Sequence, residues 1–117
     1  MSKRISVKQA NMLNRNRYIL TKLAKVNAKD RKSILNNAPS ELFKVLNLIF
    51  KILRDGNLKF SNKQQQKLKK HKRFIQQSSD LKSSAIKRKI QKQRGGFLPA
   101  ILSAALPIIG SIVKSIL

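Results

Sequence analysis

The sequence predicts an all-α protein, a small bundle of about five short helices followed by a separate apolar helix at the C-terminal end. Three observations carry this reading. Apolar residues recur at steps of three and four through most of the chain, the period of a helix buried on one side. Helix-start and helix-stop residues, among them Asn27, Pro39, Gly56 and Ser61, divide those runs into short lengths. The composition also changes abruptly at Gly95-Gly96: of 27 Lys and Arg, all but Lys114 precede the pair. Residues 1–94 thus read as a basic helical domain, 95–96 as a hinge or cleavage site, and 97–117 as an apolar, membrane-seeking helix.

Residues 1–7 are short, basic and frayed in this reading. A first helix is expected from about Lys8 to Val26, with Met12, Leu13, Ile19, Leu20, Leu23 and Val26 inward and cations between them. Asn27 can cap a second, brief helix over about Ala28–Leu35, where Asp30 suits the positive end of the helix dipole. Asn36-Asn37 end it. Pro39 fits the first turn of a third helix, with Glu41 beside it. That helix, from Leu42 to Leu53, is apolar on most of its circumference and is the candidate core. Lys44, Asn47, Lys51 and Arg54 form its one narrow polar stripe. Ser61-Asn62-Lys63-Gln64 has the capping-box pattern and starts a fourth helix running to about Gln76. Ser79 or Asp80 can cap a fifth, Leu81 to about Lys92.

The last 21 residues hold eleven of Phe, Leu, Ile and Val. Burying that many large side chains is worth on the order of 20 kcal/mol gross, so the segment will leave water. It can fold back on the basic domain, associate with another protein surface, or enter a bilayer, and the bilayer leads. A helix from Pro99 to Leu117 would be about 28 Å long, near the hydrocarbon thickness of a membrane. Pro107 near its middle should kink it, Gly110 adds flexibility, and Lys114 stands close to its end. These features suit an interfacial, membrane-disturbing helix better than a simple anchor. Phe97, Leu98, Ile101, Leu102, Ile108, Ile109, Ile112, Val113 and Ile116 are its expected membrane contacts.

The formal net charge of +23 selects polyanions as partners: nucleic acid, an anionic membrane face or an acidic protein. Nucleic acid is the commonest match. Between Lys59 and Arg94 the only acid is Asp80, so this stretch holds the strongest signal. Its candidate contacts are Lys63, Lys67, Lys69, Lys70, Lys72, Arg73, Lys87, Arg88, Lys89, Lys92 and Arg94. Cations spread around a helix imply phosphate contact without base reading. Tyr18, Phe60 and Phe74 could stack on bases but sit where packing explains them. There is no cysteine, and the single histidine, His71, lies among cations, so no metal or other cofactor is expected. Glu41 and the aspartates fall at helix ends, and no nucleophile–base pair or phosphate loop is visible; the expectation is that the chain is not an enzyme.

Phe97-Leu98-Pro99 resembles the opening of short lytic peptides of frog skin and wasp venom. A broader likeness follows the order of features: a basic start, a Leu-rich helix, a basic helix with Lys69-Lys70-His71-Lys72, a second basic run, then Gly95-Gly96-Phe97-Leu98 and an apolar end. This resembles small basic minor virion proteins of adenovirus-related DNA viruses of the adintovirus or Polinton group. The resemblance implies a core or membrane-active virion component, found in the virion and in the host nucleus during assembly, with capsid proteins and a viral maturation protease as further partners. Such proteases cut at paired glycines with Met, Ile or Leu at the fourth position before the cut. That position here is Gln93 if the cut follows Gly96, which departs from the pattern and leaves Gly95-Gly96 open as hinge or cleavage site.

The leading functional expectation is therefore a structural minor virion protein that binds or condenses nucleic acid through its basic helices and disturbs membranes through its C-terminal helix. A tail-anchored membrane protein with a basic cytosolic domain, and a soluble bundle that binds an acidic partner, are the alternatives.

Overall fold

The computed structural model describes residues 5–55, 62–92 and 97–117, and these are helical with no strand among them. The order is α1 (Val7–Arg15), α2 (Arg17–Lys25), α3 (Ala28–Asn37), α4 (Ser40–Asp55), α5 (Asn62–Lys70), α6 (Lys72–Ser79), α7 (Ser83–Lys92) and α8 (Phe97–Ile116). The all-α class and the C-terminal apolar helix are as expected. The count is higher because two expected helices are each divided.

Both divisions have the same form. Leu13 and Leu20 face inward seven residues apart, and the inward position between them is Asn16, which is buried. Leu68 and Ile75 are likewise seven apart, with His71 between them. At Asn16 the polar group on the buried stripe finds its partner in the backbone. Asn16 donates from Nδ2 to the Met12 carbonyl at 2.8 Å, and its φ of −96° and ψ of 4° lie outside the helical basin. His71 has φ −110° and ψ 14°, and its N–H turns to the Leu68 carbonyl three residues back. Each kink is one residue long, because the next turn resumes with bonds from Leu20 to Asn16 and from Ile75 to His71.

The start of α1 is set by a capping box. Ser6 Oγ accepts from the Gln9 amide at 3.1 Å, and Gln9 Oε1 accepts from the Ser6 amide at 2.9 Å. The helix thus begins at Val7, one residue before the expected start. The equivalent box expected at Ser61, the stop at Gly56 and the docking of Leu58 and Phe60 lie outside the described residues. For α3 the cap is as expected: Asn27 Oδ1 accepts from the Asp30 amide at 2.8 Å.

Helix α4 is the centre of the bundle. Leu42, Phe43, Val45, Leu46, Leu48, Ile49 and Phe50 are all buried, and α6 and α7 pack along it. Phe50 and Phe74 meet edge to face, with ring centroids 5.8 Å apart. The polar stripe of α4 is divided in role. Lys44 and Lys51 face solvent. Asn47 donates to the carbonyls of Leu81 at 2.9 Å and Ser79 at 3.3 Å. Arg54 reaches Asp80 at 3.0 Å and the Ser79 hydroxyl at 3.3 Å. The stripe therefore clamps the α6–α7 connection. This corrects the expectation that Ser79 or Asp80 caps α7: Ser79 closes α6, donating to the Gln76 carbonyl, and Asp80 follows as its C-cap. Asn47→Ala removes the only side chain bonded to both carbonyls among the contacts described. It should cost about 1–3 kcal/mol, read as a lower denaturant midpoint at unchanged m-value.

Helix α8 docks against α2, α1 and α5 and touches α4 more lightly. Leu98, Ile101, Leu102, Ala105, Ile109 and Val113 join the same core cluster as the α4 residues. These positions fall on one stripe at steps of three and four. Ser103, Pro107, Ser111 and Lys114 are exposed, and Ser103, Pro107 and Lys114 stand along the outer edge of the α2–α8 seam. The chain stays helical through Pro107 and Gly110. Pro107 is exposed, and the carbonyl it cannot serve belongs to Ser103, also exposed, where water can take its place.

Candidate nucleic-acid interface

Ionisation and burial divide the cations. Among the described residues, ion pairs join Arg15 to Glu41 and Arg54 to Asp55 and Asp80. Both arginines serve the fold, as does half-buried Arg31, which donates to the Val26 carbonyl at 3.1 Å. On α5 and α6 the side chains of Lys63, Lys67, Lys69, Lys70, Lys72 and Arg73 are exposed. Arg88 on α7 is exposed as well. Seven of the sequence-predicted contacts are thus available to a polyanion, with Asp80 nearby already held by Arg54.

Lys87 and Lys89 are placed differently. Both are half-buried. The Lys87 ammonium lies 5.5 Å from the centroid of Phe43 and that of Lys89 lies 5.3 Å from Phe74. Their stems cover the aromatic core between α4, α6 and α7 while their heads remain near the surface. Lys89 also donates to Gln77 Oε1 at 2.8 Å. The side chain of Lys92, and Arg94, Gly95 and Gly96 entirely, lie outside the described residues, as does the side chain of Phe97.

Of the three candidate stacking rings, Phe74 is buried, as its packing role required. Phe60 lies outside the described residues. Tyr18 corrects the expectation of packing: it is 73% exposed, with the Lys22 ammonium 4.9 Å from its ring centroid. The kink at Asn16 starts a new helix at Arg17, and Tyr18 on that helix faces outward while Leu20 and Leu23 face in. His71 is half-buried at the α5–α6 kink, with its Nδ1 edge turned into the molecule. Its ring is thus partly withdrawn from the exposed cations on either side.

Glu41 is tied to the α1–α2 kink as well as to its own helix start. Arg15 donates to Oε1, and Asn16 Nδ2 lies 3.4 Å from Oε2. The hydrogen bond from Arg15, then that from Asn16, holds its carboxyl below the ordinary 4.5, against an opposing push from partial burial. A depressed folded-state value gives stability that is present above the unfolded value and lost as pH falls through the folded one. The loss should therefore appear below pH 4.5. Thermal melts of Glu41→Gln should show a shallower decline over that range than the parent chain.

The expected membrane contacts on α8 fall into two sets. Leu98, Ile101, Leu102, Ile109 and Val113 are buried in the bundle, and Ile108, Ile112 and Ile116 are half-buried along its outer flanks. The stretch Leu98–Ile116 is long and apolar enough to cross a membrane, and only 28% of it is buried. The helix is docked along one stripe rather than surrounded. Comparison with protein-family models, curated proteins and solved structures finds no match for this chain.

Proposed function

We propose that this chain is a structural, nucleic-acid-binding protein of the minor-virion kind, which contacts phosphates through α5–α7 and acts on membranes through α8. The observation that carries the nucleic-acid part is the exposed cationic set on α5, α6 and α7, whose one acid is engaged by Arg54. Phosphate contact suits this set because its ammonium groups point in many directions and carry no fixed donor pattern for base edges. Binding of the full chain to short unrelated duplexes at rising salt is the test. Steep salt dependence with little sequence preference supports the reading, and a salt-insensitive complex removes it.

For the membrane part, the support is the length, apolarity and partial exposure of α8. Because its most apolar stripe is docked, activity requires release from α1, α2 and α5. Residues 97–117 alone should discharge dye from anionic vesicles. The full chain should do so less readily, and more readily where mild destabilisation frees the helix. No leakage from either would remove this part. Virion residence, nuclear assembly and contact with capsid proteins and a maturation protease belong to the same proposal and rest on the resemblance above.

A second reading is favoured by the docking of α8 itself. A soluble bundle that uses its cationic face to hold an acidic protein would also need α8 as a core helix. Binding to an acidic polypeptide in preference to duplex nucleic acid at equal ionic strength would favour it.

A further inference from the structure

Where α8 packs on α2 the two helices leave a gap along one side of their seam. A cleft of about 440 Å³ opens between them, within the range of about 300–1,000 Å³ of small-molecule sites. Its apolar lining includes Leu13, Leu20, Leu106, Ile109 and Val113. The cleft stays open because small residues line it: Ala24 and Thr21 on α2, Ser103 and Gly110 on α8. A Cβ on Gly110 would meet nothing within 4 Å. Arg17, Lys25 and Lys114 also line it, and no acid does.

We propose that this cleft binds a single-chain anionic lipid, with the acyl chain along the α2–α8 seam and the carboxylate at the cationic rim, at Arg17, Lys25 or Lys114. Charge selects the head group: three cations border an apolar channel, the arrangement an anionic amphiphile complements. Length suits the chain, since Ser103 to Lys114 spans about 16 Å at roughly 1.5 Å per residue. The other occupant of similar polarity, an acidic amphipathic helix, would lay one apolar face on the groove and is distinguished by the experiment. The proposal is independent of the nucleic-acid reading, because the cleft uses α1, α2 and α8 and none of the α5–α7 cations.

The experiment is calorimetric titration of the full chain with laurate below its micelle concentration, beside dodecyltrimethylammonium, which has the same chain and the opposite charge. Laurate should bind saturably, one molecule per chain, and the cationic analogue should not. Gly110→Leu fills the cleft and should abolish laurate binding while circular dichroism and melting remain those of a folded chain. Ser103→Leu, at an exposed position, does the same should Gly110→Leu not fold. Arg17→Glu, Lys25→Glu and Lys114→Glu together should weaken binding by about tenfold or more, the scale of lost charge-assisted contacts. Lys69→Glu with Lys70→Glu, away from the cleft, should leave it unchanged. Four outcomes would overturn the proposal: no laurate binding, equal binding of the cationic analogue, binding that survives both cleft-filling variants, or binding that falls equally with the Lys69 and Lys70 changes. Binding of an acidic amphipathic peptide in place of laurate would also overturn it.

Discussion

A chain ending at Gly96 should lose its cooperative thermal transition and much of its helical signal. Helix α8 covers Leu13, Leu20 and Leu23 of α1 and α2 within the same cluster that surrounds α4. Without it those side chains face water, on a chain whose positive charge already resists compaction. The dependence can be read one side chain at a time. Ile101 and Leu102 are each 0% exposed. Trimming either to Ala should cost about 2–5 kcal/mol, against a total of about 5–15 kcal/mol for a typical domain. Either change brings the molecule near its unfolding threshold, and the two together should pass it. A shortened chain that melts cooperatively near the parent temperature would instead make α8 an appendage. The result bears directly on Gly95-Gly96, because a cut there would leave α8 held only by packing.

Affinity for duplex nucleic acid should fall by about 10³ to 10⁵ between 50 and 200 mM salt if six to ten phosphates are neutralised. The seven exposed cations on α5, α6 and α7 lie within that number. Each neutralised phosphate contributes about 0.9 to the slope of log affinity against log salt. Lys69→Gln should thus flatten the slope by about one and weaken binding evenly across unrelated duplexes. Lys87→Gln should act differently. Its stem lies against Phe43, so stability should fall as well as affinity. Measuring slope and melting temperature on both variants separates surface cations from those that also cover the core.

The local signals in this sequence are reliable where the partner is near in the chain. The Asn27 cap, the apolar run of α4 and the stripe of α8 are all contained within single helices, and each is where periodicity and capping place it. The missed box at Ser6 is of this kind too, since Ser6-Val7-Lys8-Gln9 repeats the pattern recognised at Ser61. The kinks divide helices expected to be continuous, although each has a polar residue, Asn16 or His71, on the inward stripe. What could not be read locally were roles completed from afar. Glu41 meets Asn16 from 25 residues away and Asn47 meets Leu81 from 34. Capping and solvation were sufficient local explanations for those residues, and only the packing of α1, α6 and α7 on α4 replaces them. The candidate interface divides in the same way. Its charge is a property of composition, whereas the seating of Lys87 and Lys89 on rings depends on which helices face α7. The destination of α8 is the extreme case, because one apolar stripe would serve a core, a partner or a bilayer equally well.

A kink also interrupts the propagation of helical order. Opening that begins in α5 meets His71 before it reaches α6, and the two halves answer to different neighbours: α5 packs on α8, and α6 on α4. Loss of α8 should therefore uncover α5 first, while α6 keeps its packing on α4 around Phe50. Amide protons only a few residues apart across His71 should then exchange at different rates.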